Sequence, residues 1–96
     1  LKSVRILSNH TGNVHSLIIN QNDELISGSA DRTIKIWNMT TGECKRTLIG
    51  HNHTIRSLVI NNDNELISGS NDRTIKIWNT LTGQCRITLN NHNLTV

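Results

Sequence analysis

Proline, phenylalanine and tyrosine are missing from this 96-residue sequence, and tryptophan and cysteine occur only twice each. Without proline, corners fall to Asn, Asp and Gly, which reach unusual backbone angles by other means. No apolar run exceeds a few residues, as in Leu17-Ile18-Ile19 and Leu58-Val59-Ile60. That excludes a transmembrane helix and the apolar core of a signal peptide. An apolar share of 34%, a charged share of 18% and a mean hydropathy of −0.37 read as a soluble globular chain. The length allows one domain at most, with little surface to bury. The chain opens on Leu1 rather than Met, which reads as a segment of something longer.

Charge is modest. Ten Lys and Arg stand against seven Asp and Glu, a net +3. The cations are scattered and form no block, and Trp37 and Trp78 are the only aromatics. A nucleic-acid surface needs a basic stripe with stacking rings, so that function is a distant alternative. Asparagine is abundant, with fourteen, and four N-x-T sequons result. Nineteen Ser and Thr in 96 residues give about three such sequons by chance, so they carry no evidence of secretion.

What is there is a repeat. His10, His51 and His92 recur at intervals of 41, and so do Gly28/Gly69, Asp31/Asp72, Trp37/Trp78, Gly42/Gly83 and Cys44/Cys85. Residues 10–50 and 51–91 agree at 24 of 41 positions. A duplicated unit of this period is the first fact the fold must satisfy.

The unit reads as all-β. Residues 14–19 and 55–60 are branched apolar runs ending in Asn/Asp clusters, and residues 24–27 and 33–37 flank a polar corner at Ser29-Ala30-Asp31. A further corner at Thr40-Thr41-Gly42 precedes residues 44–48, and the second copy repeats the scheme. Four short strands per repeat follow, with no helical period. Apolar residues on both faces require neighbours on both sides. Sheets stacked face to face about an axis meet that need.

At this point the residues resemble the WD40 repeat family. The likeness rests on His10…Ser27-Gly-Ser29-x-Asp31-Arg-Thr-Ile-Lys-Ile-Trp37 and on its copy from His51 to Trp78, and it covers nearly the whole chain. The pattern departs at Asn9-His10 and Asn91-His92, which lack the family's Gly, and at Trp37-Asn38 and Trp78-Asn79, which replace Trp-Asp. Gln21-Asn-Asp23 and Asn62-Asp-Asn64 stand where the family has Pro-Asp-Gly; Asn tolerates the left-handed turn. The resemblance implies an all-β partial propeller: two four-stranded antiparallel blades plus flanking orphan strands. Residues 1–41 then hold the end of one blade and three strands of the next, 42–82 the second repeat, and 83–96 the start of a third. Val4–Leu7 is the orphan fourth strand, and 91–96 begins another first strand. Two blades cannot close a ring, so the chain is expected to be part of a larger propeller, or alone to be unstable or self-associating.

The resemblance also implies a hydrogen-bonded tetrad in each blade, His10, Ser27, Asp31 and Trp37, then His51, Ser68, Asp72 and Trp78. Strand alternation leaves Ser29 or Ser70 open as the hydroxyl. A buried indole N–H and imidazole need partners, and a carboxylate sets the His tautomer. His, Ser and Asp together suggest a hydrolase, but a set that recurs per repeat around a core Trp reads as structural. No catalytic residue, metal or cofactor is expected; His51-Asn-His53 with Cys44 fits no zinc spacing. Cys44 and Cys85 lie at equal positions in sheets about 10 Å or more apart, too far for a disulfide. They read as buried thiols of an intracellular protein, cytoplasmic or nuclear. Lys35 and Lys76 are expected to run their stems over a blade edge to water.

Binding is expected where the copies differ. In WD40-like propellers the start of the first strand and the residue before the corner Asp open onto one face where peptides and proteins dock. The matching positions are Asn13, His15, Ala30, Thr54, Arg56 and Asn71. Arg56 leads, since a guanidinium grips a carboxylate or phosphate bidentately. The expected function is a non-catalytic interaction scaffold whose partners are a protein or peptide and the remaining blades, with no membrane. Alternatives are the substrate-receptor propeller of an F-box-type ubiquitin ligase and the sensor array of a signalling ATPase.

Overall fold

The computed structural model describes residues 10–90, so the strands expected at Val4–Leu7 and from Asn91 onward lie outside the described residues. Eight strands follow one another: β1 (Val14–Ile19), β2 (Leu25–Ser29), β3 (Thr33–Trp37), β4 (Cys44–Ile49), β5 (Ile55–Ile60), β6 (Leu66–Ser70), β7 (Thr74–Asn79) and β8 (Gln84–Asn90). They form two four-stranded sheets, β1-β2-β3-β4 and β5-β6-β7-β8, with every neighbouring pair antiparallel. No helix among the described residues is long and apolar enough to cross a membrane.

The corners explain the abundance of asparagine. Asn20 Oδ1 accepts the Asn22 and Glu24 backbone N–H groups, both at 2.9 Å, and its amide donates to Glu24 Oε1 at 2.7 Å. Asn61 repeats the arrangement with Asp63 and Glu65. Asp23 and Asn64 then take the left-handed backbone, at φ 60° and 61°. Asn38 and Asn79 Oδ1 each accept two backbone N–H groups, from the second and third residues on, at the β3–β4 and β7–β8 corners. These Asx turns do locally what a proline would otherwise preset. The β2–β3 corner lies later than expected: β2 runs through Ser29, and the left-handed residue is Arg32, at φ 76°. Ser29 Oγ holds this corner by accepting the Asp31 N–H at 3.0 Å.

The two sheets pack face to face. Ile26, Ile34, Ile36 and Leu48 of the first meet Ile55, Leu58, Leu66 and Trp78 of the second in one core, with β5 against β1 and β2. The duplication shows what a neighbour does. Leu58 is 9% exposed, but its counterpart Leu17 is 62%; Leu48 is 2% exposed, but its counterpart Leu89 is 52%. Identical residues differ only in whether a sheet covers them. At the contact, a Cβ on Gly28 would stand 2.5 Å from Ile55 Cγ2, so only glycine permits this approach. At the far end of the strands Arg46 donates to the carbonyls of Leu81 (2.8 Å) and Thr82 (3.0 Å), bridging the sheets.

The cysteines depart from expectation. Cys44 is half-buried and Cys85 exposed, both with free thiols. Each sits on the outermost strand of its sheet, where no further strand among the described residues shields it. Lys35 and Lys76 reach across to those same outer strands, where their Nζ atoms donate to Thr47 and Thr88 Oγ1 at the exposed edge, both at 2.9 Å.

Candidate functional site

In the second sheet His51, arriving from the loop before β5, reaches β6 and the β6–β7 corner. Its Nε2 lies 2.7 Å from Ser68 Oγ and its Nδ1 3.0 Å from Asp72 Oδ2. Trp78 Nε1 donates to the same Ser68 Oγ at 2.8 Å. The first sheet repeats this with His10–Ser27 at 2.6 Å, His10–Asp31 at 2.8 Å and Trp37–Ser27 at 2.9 Å. With the indole N–H donating, the hydroxyl proton points to Nε2, so Nδ1–H faces the carboxylate. The alternative hydroxyls are excluded, since Ser29 holds the corner and Ser70 Oγ donates to the His53 carbonyl.

A fifth member had no sequence signal. Thr33 and Thr74 hydroxyls donate to the second carboxylate oxygens of Asp31 and Asp72 and lie 3.3 and 3.0 Å from the His Nδ1 atoms. Backbone N–H groups of Thr11 and Asn52 complete each carboxylate shell. Burial works to raise the Asp72 carboxyl, but the donors from Thr74, Asn52 and His51 outweigh it and hold it at about 2. Asp31 is likewise held below the usual carboxylate range, with Thr33 and His10 overcoming burial. Burial lowers His51, against the opposing pull of Asp72, and keeps it neutral. Ser68 is fully buried, and Gly50 of the first sheet's trailing loop lies against the Trp78 ring. The set ties β6 and β7 to the loop before β5 through these hydrogen bonds.

The six rim positions fall at one end of the sheets, and the structure brings them together in pairs. Ala30 N–H donates to the Asn13 carbonyl at 2.8 Å, and Asn71 N–H to the Thr54 carbonyl at 3.1 Å. His15 and Arg56 are each the extra residue of a β-bulge: Val14 pairs with Ser29 and Ser16 with Gly28, and the second sheet repeats this around Arg56. A bulge re-aims the side chain it frees from the ladder, and both His15 and Arg56 are exposed. Charge is divided along the strands. Of the seven acidic residues, Asp31 and Asp72 are consumed inside the tetrads, and Asp23, Glu24, Glu43, Asp63 and Glu65 lie at the opposite corners. Arg32, Arg56 and Arg73 stand at the rim end.

The WD domain, G-beta repeat family matches residues 1–38 and 42–79, most of the chain. The chain belongs to the WD40 repeat family. Its two sheets superpose on the WD40 beta propeller domain of Doa1 with a TM-score of 0.84 at 27% identity, over 88% of this chain and 29% of that one. The all-β class and the two propeller blades expected from sequence are therefore established. Among sequence relatives, the pre-mRNA-splicing factor prp46 of Emericella nidulans is 50% identical over 48 residues, 49% of this chain and 11% of that protein. Protein pleiotropic regulator PRL2 of Arabidopsis thaliana is 48% identical over 48 residues, 49% of this chain and 10% of that protein. The chain thus matches about a tenth of the length of these curated relatives. The WD40 pattern's Asp after Trp is Asn here, and the structure gives Asn38 and Asn79 a role of their own as acceptors in the next corner.

Proposed function

We propose that this WD40 segment is a non-catalytic scaffold that binds a protein or peptide through Asn13, His15, Ala30, Thr54, Arg56 and Asn71, and that its partner is acidic. The supporting observation is the division of charge: the rim end presents arginines, while every carboxylate is either locked in a tetrad or placed at the other end. Such a surface draws anionic segments and repels cationic ones. Arg56, lifted out of the ladder by its bulge, is the residue proposed to grip the carboxylate. The likeness to pre-mRNA-splicing factors supports a nuclear setting for the chain.

The test is binding of the protein to arrays of Asp/Glu-rich and Lys/Arg-rich peptides. Acidic peptides are expected to bind, Arg56→Ala to weaken them about tenfold, and Arg56→Glu to weaken them further. Equal binding of basic peptides, or unchanged affinity across substitutions at all six positions, overturns the proposal.

A further inference from the structure

Between His51 and β5 the second blade carries a short loop in which every residue is tied down. The Asn52 N–H donates to Asp72 Oδ2 at 2.8 Å. The His53 carbonyl accepts the Ser70 hydroxyl at 3.2 Å, and the Thr54 carbonyl accepts the Asn71 N–H at 3.1 Å. One more bond lies within the loop itself: the Thr54 N–H donates to His53 Nδ1 at 2.8 Å. A backbone N–H only donates, so Nδ1 carries no proton, and the neutral ring holds its proton on Nε2. Ring and tautomer are thereby set in a side chain that is exposed. Three residues on, Arg56 is exposed too, freed from the ladder by its bulge.

The first blade has no equivalent. Gly12 stands at the position of His53 and His15 at that of Arg56. A Cβ on Gly12 would lie 2.8 Å from the Asp31 backbone nitrogen, so a side chain there would run into the β2–β3 corner.

We propose that His53 is a further residue of the partner site: its Nε2–H donates to a carboxylate of the acidic partner beside the Arg56 guanidinium, so that the second blade provides the seat. The proposal rests on reading the rim as the surface for an acidic partner. A donor whose ring, tautomer and loop are already fixed loses little freedom when a carboxylate arrives. A hydrogen bond to a charged acceptor is also stronger than one between neutral groups.

The test is the affinity of the protein for a labelled oligoglutamate peptide, with far-UV circular dichroism on each variant. His53→Asn separates the two roles of the ring. Its Oδ1 stands where Nδ1 does and still accepts the Thr54 N–H, but nothing donates from the place of Nε2. His53→Ala and His53→Asn are both expected to weaken binding about fivefold with unchanged spectra. His53→Gln, whose amide reaches towards the Nε2 position, should recover part of the loss. Wild-type affinity in His53→Asn overturns the proposal, since the ring would then serve only its loop; so does wild-type affinity in His53→Ala. If both are silent while Arg56→Ala weakens binding, this inference fails alone. If Arg56→Ala is silent as well, the reading of the rim falls with it.

Discussion

Ser68 Oγ accepts a hydrogen bond from the Trp78 indole N–H and donates to His51 Nε2 at the same time. Removing it leaves two buried groups without a partner. Ser68→Ala is expected to cost about 1–3 kcal/mol, read as a lower denaturation midpoint with unchanged slope. Acid should act on the same cluster in two stages. His51 is held below its ordinary 6.5, so as pH falls through 6.5 the unfolded chain takes a proton that the folded one refuses, and stability drops. Asp72 is held at about 2 against an ordinary 3.8; its contribution, about 2 kcal/mol, is full above about 4 and disappears as pH falls towards 2. Denaturation series at pH 7, 5 and 3 check both stages, and equal stability at 7 and 5 would contradict a neutral His51. The tetrads were legible only through the family resemblance, which left Ser29 and Ser70 open as the hydroxyls until the structure placed Ser27 and Ser68 there. Thr33 and Thr74 were not, because a threonine opening a strand looks like any β-former.

The strands were legible to within a residue or two, and the bulges were not. Strict alternation assigns His15 and Arg56 to a sheet face, whereas the structure frees both from the ladder. Opposite the first bulge, Gly28 lies where a Cβ would enter Ile55. Gly28→Ala is expected to push the blades apart and cost about 1–3 kcal/mol by overpacking. In a double-mutant cycle with Ile55→Ala, which removes the obstructing methyl, part of that cost should be recovered. Additive losses would show that Gly28 is needed for another reason.

Between the blades, Arg46 spans to two carbonyls of the next corner. It is exposed, so Arg46→Ala is expected to cost only about 1 kcal/mol. Arg46→Lys should recover little of it, because an ammonium lacks the fork that reaches both oxygens. Thermal melts of the two variants check the order. The thiols show the same dependence on surroundings: Cys44 and Cys85 read as core residues in a line of sequence, yet they open to solvent on outermost strands.

The repeat by itself determined the unit: its period, its four strands and the two-sided apolar character that demands neighbours. All of these follow from local spacing and residue type, which a duplicated stretch states twice. Tertiary structure alone decided which leucine of each pair is buried, which hydroxyl joins the histidine, and which side chain the bulge lifts out. Those outcomes depend on which surface lies opposite, and two copies with the same residues met different surfaces.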